Sequence, residues 1–166
     1  MKNIEGTSPF EFRRPVTGRQ FLNHKEALED IYSEVGVKTV YFVLGDQGCG
    51  NTSVAFKVVD HMRRKYRNRI VIYVSLRGCK TEFQLLHKYI IPVVRALDKK
   101  SNFRFGMKEY HHDKRGIAEL PEMTAQRKKK KVVLILDDFD VIIGMNDQLQ
   151  IEELLSSVWG KQHWIS

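Results

Sequence analysis

The chain has 166 residues, 42% hydrophobic side chains and a formal net charge of +8, which suits one compact domain with a single core rather than two. Its two cysteines give no disulfide framework, and the first 20 residues contain no continuous apolar segment of the kind that a signal peptide needs. The longest aliphatic run, 132–136, is far too short to cross a bilayer. We therefore expect a cytoplasmic protein with no membrane partner.

Apolar residues alternate along the chain between short strand-like runs and longer helical spacings. This alternation is typical of an α/β domain with a parallel sheet. The stretch 99–131 is polar, charged and interrupted by Gly106, Gly116 and Pro121, so we expect a long charged surface insertion that is partly disordered. In chain order, the prediction is helix 20–35, strand 39–44, helix 52–65, strand 69–76, helix 83–97, strand 132–137 and helix 148–159.

A glycine-rich loop, 45-GDQGCGNTS-53, joins the first predicted strand to a helix. It follows the phosphate-loop pattern G-x-x-x-x-G-K-[ST] except that Asn51 replaces the lysine. Glycines let the backbone curl round a phosphate with successive N–H groups pointing inward, and the helix adds its positive N-terminal end. The Thr52 hydroxyl is placed to bind Mg²⁺. The predicted nucleotide contacts in this loop are Gly45, Gly48, Cys49, Gly50, Asn51, Thr52 and Ser53.

Two adjacent carboxylates end the buried run 131-KVVLILDD-138. A strand buried on both faces has room for acids only where it emerges, and in a parallel sheet that edge also carries the phosphate loop. We therefore expect Asp137 to bind Mg²⁺ and Asp138 to orient or deprotonate the attacking water. A glycine-rich turn, or a strand that ends in a solvated acidic turn, is common in proteins that bind no ligand there. The two motifs together favour a nucleotide site.

These segments resemble the signal-transducing P-loop NTPases that carry an NB-ARC domain, the STAND class found in apoptosis and innate-immunity receptors. The glycine loop and 134-LILDD-138 are similar to that family's phosphate loop and Walker B strand. The stretch 15-PVTGRQ-20 is similar to its "VGRE" element, with Gln20 in place of Glu. The resemblance implies that Val16 and Arg19 contact the nucleotide, and that the cofactor is ADP or ATP with Mg²⁺.

The same resemblance implies a three-layer αβα fold for residues 15–166, after an N-terminal tail of 1–14. In that family a further strand with a polar sensor residue lies between the first and third strands, and a helical subdomain follows. Residues 163–166 (HWIS) stand where that strand begins. We therefore expect an incomplete sheet and a fragment of a longer switch protein, which homo-oligomerises only as part of that longer protein.

Asn51 bears on activity, because lysine brings a point charge to the β- and γ-phosphates whereas asparagine offers only neutral amide donors. Losing one charge-assisted contact costs about 1.5–3 kcal/mol, or roughly ten- to a hundredfold in affinity. Hydrolysis should suffer more than binding, because the lysine charge matters most where negative charge develops on the phosphates in the transition state. Asn51 thus predicts at best a slow ATPase, and the resemblance implies that the bound nucleotide acts as a signalling switch. The alternatives are a pseudo-NTPase interaction module and an AAA-like or replication-initiator-like ATPase acting on nucleic acid.

A run of five basic residues, 127-RKKKK-131, precedes the last predicted strand. Such a run is found in nuclear-localisation signals and nucleic-acid patches. A basic run before a buried strand is more often a solvated loop, so a nucleic-acid partner is not expected from the sequence.

Overall fold

The computed structural model describes residues 25–34 and 49–166. The strands are β1 (Arg69–Ser75) and β2 (Lys131–Asp137), and a 3₁₀ helix spans Phe139–Gly144. The helices are α1 (Lys25–Glu34), α2 (Asn51–Lys65), α3 (Glu82–Leu97), α4 (Met107–His112), α5 (Lys114–Lys128) and α6 (Gln148–Trp159). The predictions for α2, α3, α6, β1 and β2 are confirmed to within a residue. The rest of the helix 20–35 and the strand 39–44 lie outside the described residues.

The two strands form a parallel sheet, in register from Arg69 opposite Lys131 to Ser75 opposite Asp137. On the other edge of β2, the amides of Val132 and Leu134 donate to the carbonyls of Trp164 and Ser166 at 2.8 and 2.7 Å. An isolated parallel bridge accordingly joins β2 to the end of the described chain. Residues 164–166 therefore lie beside β2, on the edge away from β1. Any pairing of these residues with the strand 39–44 lies outside the described residues.

Helices cover both faces of the sheet. Successive side chains of a strand point to opposite faces, so odd- and even-numbered residues contact different helices. The odd-numbered residues Val71, Val133 and Ile135 pack with α1 and α2. The even-numbered residues, such as Ile72 and Val132, pack with α3, α5 and α6. The protein therefore has the expected αβα layering of a P-loop NTPase fold. No helix within residues 25–34 and 49–166 is long and apolar enough to cross a membrane.

The prediction of a surface insertion over 99–131 is wrong, because this segment contains α4 and α5. The buried positions of α5 recur at helical spacing but are filled mostly by small residues, so that the period is weak in the sequence. Ion pairs join both ends of α5 to α3, with Lys114 to Glu82 at 2.9 Å and Lys128 to Asp98 at 2.8 Å. The buried α5 residues are Ile117, Ala118, Pro121, Thr124 and Ala125.

Candidate functional site

Helix α2 begins at the end of the glycine-rich loop. Its N-cap residue is Gly50, with φ 91° and ψ 20°, a left-handed conformation that glycine adopts without the steric cost of a Cβ. Glycine has no side chain with which to cap the first turn, whose N–H groups lack intrahelical partners. The backbone therefore forms the kind of helix start that receives a phosphate in other proteins, and the hydroxyl of Thr52 lies in that first turn.

The two predicted acids lie where β2 ends. Asp137 is its last residue and is buried, with 9% of its surface exposed. Because Val133 and Ile135 face α2, the alternation of the strand directs Asp137 to the same face. Asp138 follows with φ 58° and ψ 39°, and its amide donates to Asp137 Oδ1 at 3.0 Å. Because of this left-handed backbone conformation, the Asp138 carboxylate points in a different direction from that of Asp137.

Strand β1 and the residue pair after it supply partners to both carboxylates. The Tyr73 hydroxyl donates to Asp137 Oδ2 at 2.7 Å, and the Ser75 hydroxyl donates to Asp138 Oδ2 at 2.7 Å. The Arg77 guanidinium donates to Asp138 Oδ1 at 3.1 Å. We call Tyr73, Ser75 and Arg77 the polar row. Its period of two matches the pleat, which brings every second residue to one side.

The two ends of the polar row, Tyr73 and Arg77, differ in how strongly they hold their carboxylate partners. Burial, followed by the hydrogen bond to Asp137, raises the pKa of Tyr73 well above its ordinary value, so the phenol stays protonated and remains a donor. The hydrogen bond to Asp138 raises the pKa of Arg77. The Arg77 side chain is 78% exposed, so solvent screens its ion pair and the guanidinium can leave at little cost.

An aromatic contact connects α2 to Asp137 and Asp138, which we call the acid pair. The ring of Phe56, in the second turn of α2, stacks on the ring of Tyr73 with centroids 4.7 Å apart. Tyr73 lies near the carboxyl end of β1, whereas Tyr66, just after α2, lies beside Arg69 at the start of β1. Helix α2 therefore runs antiparallel to the strands, and its N-terminus lies at the same edge of the sheet as the acids.

The structure thus brings the start of α2 and the acid pair to one edge and one face of the sheet. Cys49 is exposed there, Ser53 is buried, and Asn51 and Thr52 are half-buried. The other predicted nucleotide contacts lie outside the described residues: Val16, Arg19, Gly45 and Gly48. Sequence reasoning missed the contribution of the polar row. The sequence feature that could have revealed these residues is the alternation of polar residues toward the end of an otherwise aliphatic strand.

Comparison with known proteins identifies one family. The sequence model of this family, described as an ATPase domain predominantly from Archaea, matches residues 21–163. These residues include the start of α2, the polar row and the acid pair. No curated protein and no solved structure matches the chain.

Proposed function

The chain belongs to this family of ATPase domains found predominantly in Archaea, and from that premise we propose that it binds ADP or ATP with Mg²⁺ and hydrolyses ATP slowly or not at all. The observation that carries the proposal is the placement of Asp137 and Asp138 on the face and at the edge of the sheet where α2 begins. The family match supports a nucleotide-binding P-loop domain, and the local geometry supports the assignment of roles.

The residues at this edge suit a magnesium nucleotide. Carboxylate and hydroxyl oxygens are the ligands that Mg²⁺ prefers, and Asp137 with Thr52 offers one of each. The Tyr73 hydroxyl fixes one oxygen of Asp137 and the Asp138 amide fixes the other, so the carboxylate is oriented before any ligand arrives. The backbone from Gly50 into α2 would hold a phosphate. When bound, Mg²⁺ would neutralise phosphate charge there.

Two features of this chain favour binding over turnover. Asn51 withholds the point charge that lysine would bring to the γ-phosphate. Asp138 accepts hydrogen bonds from Ser75 and Arg77 on its two oxygens, so a donor occupies each oxygen that could take a proton from water. For Asp138 to act on a water, Arg77 would have to release it.

The resemblance to NB-ARC proteins supports a finer proposal, in which nucleotide exchange switches the conformation of a longer, homo-oligomerising protein. The stack of Phe56 on Tyr73 gives a physical route, because a shift of α2 on phosphate binding would move the residue that orients Asp137. A nucleic-acid-dependent ATPase is equally compatible with the family match. A pseudo-NTPase would keep the fold without the ligand.

The test uses Asn51→Lys, with Asn68→Lys as the matched control. Asn68 is exposed in the turn between α2 and β1, so the control adds the same charge at the far end of the helix. Nucleotide released from the purified wild-type protein by denaturation is identified, and affinity for Mg-ATP is then measured for all three proteins. We expect bound ADP, and Asn51→Lys should bind Mg-ATP about ten- to a hundredfold more tightly while the control does not change.

The alternatives give different results in the same assays. No released nucleotide and no binding up to millimolar Mg-ATP by wild type or Asn51→Lys would contradict the proposal and identify a pseudo-NTPase. Rapid phosphate release by the wild-type protein that depends on added DNA would favour the nucleic-acid-dependent ATPase instead.

A further inference from the structure

Much of the positive charge of the chain collects at the edge of the sheet opposite the candidate nucleotide site. The residues concerned follow or end α2, α3, α5 and α6, or begin the two strands. All are exposed except the half-buried Arg69. This basic edge consists of Arg63, Arg64, Lys65, Arg67, Arg69, Lys99, Lys100, Arg127, Lys128, Lys129, Lys130, Lys131 and Lys161, thirteen of the 28 lysines and arginines of the chain.

The parallel topology explains why sequence-distant charges meet there. Arg69 and Lys131 are paired in register at the start of β1 and β2, so the residues just before each strand lie side by side. The Lys128 to Asp98 ion pair places the end of α5 beside the end of α3. The Lys131 side chain donates to the carbonyl of His163, which places the segment after α6 at the same edge. The basic run is therefore one part of a larger surface.

Stabilisation of helix ends does not account for this much charge. A helix C-terminus carries roughly half a negative charge, so four of them need about two positive charges rather than thirteen. Some basic-edge side chains have local roles: Lys128 pairs with Asp98, and Arg64 donates to a backbone carbonyl. Eight other side chains of the basic edge form no hydrogen bond or ion pair with the part of the chain that the structure describes. They are Arg63, Arg67, Lys99, Lys100, Arg127, Lys129, Lys130 and Lys161.

The arrangement fits a duplex better than a lipid surface. Helix α2 packs on one face of the sheet and helices α3 and α5 pack on the other. The cations that end these helices therefore form two groups, one for each phosphate backbone of a duplex. Membrane-surface helices also present large apolar side chains for insertion. The exposed large apolar side chains among the described residues are Met107, Met123, Ile143 and Leu149, and none of them belongs to the basic edge.

We propose that the basic edge binds the phosphate backbone of double-stranded nucleic acid without reading its sequence. Phosphate contacts of lysine and arginine position a protein on a duplex but carry no base information. The surface is separate from the acid pair, so this binding does not require nucleotide and stands independently of the proposed function. The sequence alone did not favour a nucleic-acid partner. The proposal departs from that expectation because the fold brings the cations that end or follow α2, α3 and α6 next to the run 127–131.

The test is fluorescence anisotropy of a labelled DNA duplex titrated with the full chain at several salt concentrations. If about six phosphates are contacted, log Kd changes with log salt with a slope of magnitude about 5, and affinity falls about a thousandfold between 50 and 200 mM salt. Two duplexes of unrelated sequence should bind equally well. The double variant R127A/K130A should lower the magnitude of the slope by about 2.

A matched control and a second variant keep the test decisive. R104A/K108A removes one arginine and one lysine that are exposed near the first turn of α3, where Phe105 contacts Phe83, and it should leave the slope unchanged. K99A/K100A, on a different element of the basic edge, should act like R127A/K130A. The proposal is overturned if the wild-type chain does not bind duplex at 50 mM salt, or if both double variants keep its slope. It is also overturned if anionic vesicles bind but the duplex does not.

Discussion

Replacing Tyr73 by phenylalanine should destabilise the protein by disturbing the acid pair. The substitution keeps the ring that stacks on Phe56 and removes only the hydroxyl that donates to Asp137 at 2.7 Å. Because Asp137 is 9% exposed, water cannot easily replace the lost donor. A hydrogen bond to a charged group contributes about 1.5–3 kcal/mol, so we expect the free energy of unfolding to fall by about that amount.

Urea unfolding at neutral pH measures this loss directly. The midpoint should fall while the m-value stays the same, since the surface exposed on unfolding does not change. For a domain of this size each kcal/mol lowers Tm by about 2–4 °C, so Tm should fall by about 3–12 °C. Tyr32→Phe is the control, because its hydroxyl reaches the carbonyl of Lys57 only at 3.5 Å, at the limit of a hydrogen bond. Equal midpoints for the two variants would refute the assigned role of Tyr73.

Three further predictions concern residues of α4 and α5. Burial, then the charge of Glu82, raises the pKa of Tyr110 to about 12 from 10.0, so its contribution to stability is complete below about pH 10 and lost between about pH 10 and 12; the urea midpoint should fall there, and less so in Tyr110→Phe. Ile117→Ala should cost about 2–5 kcal/mol in urea unfolding because the side chain is buried, whereas Met123→Ala, 58% exposed on the same helix, should cost under about 0.5 kcal/mol. Glu122 accepts the amides of His163, Trp164 and Ile165; Glu122→Gln should therefore speed hydrogen exchange at those amides, and unchanged exchange would contradict this.

The elements that could be predicted from sequence are those whose buried faces consist of large aliphatic residues. A run such as 132–136 is too short for a helix and is bounded by charged residues, and β1, β2, α3 and α6 fall where expected. Helix α5 could not be found in this way, because Ala118, Thr124 and Ala125 fill most of its buried face. Small buried residues leave little contrast between the faces of a helix, and Pro121 within it reads as a break.

The site shows the same division between local and non-local information. The residue types and positions of Asp137 and Asp138 follow from one strand and could be predicted. Their partners Tyr73 and Ser75 lie more than sixty residues away in sequence, at separations of 64 and 63, and are fixed by the register of β1 against β2. A register is a property of two strands together, which no local pattern contains.

The most direct test of nucleotide binding is calorimetric titration of the chain with Mg-ADP. We expect binding heat for the wild-type protein that disappears in the double variant Gly50→Val with Thr52→Ala, because valine disfavours the left-handed start of α2 and alanine removes the hydroxyl proposed to bind Mg²⁺. Circular dichroism shows whether the variant remains folded. Absence of heat in the wild-type protein up to millimolar Mg-ADP, or equal heat in the double variant, would contradict nucleotide binding at the start of α2.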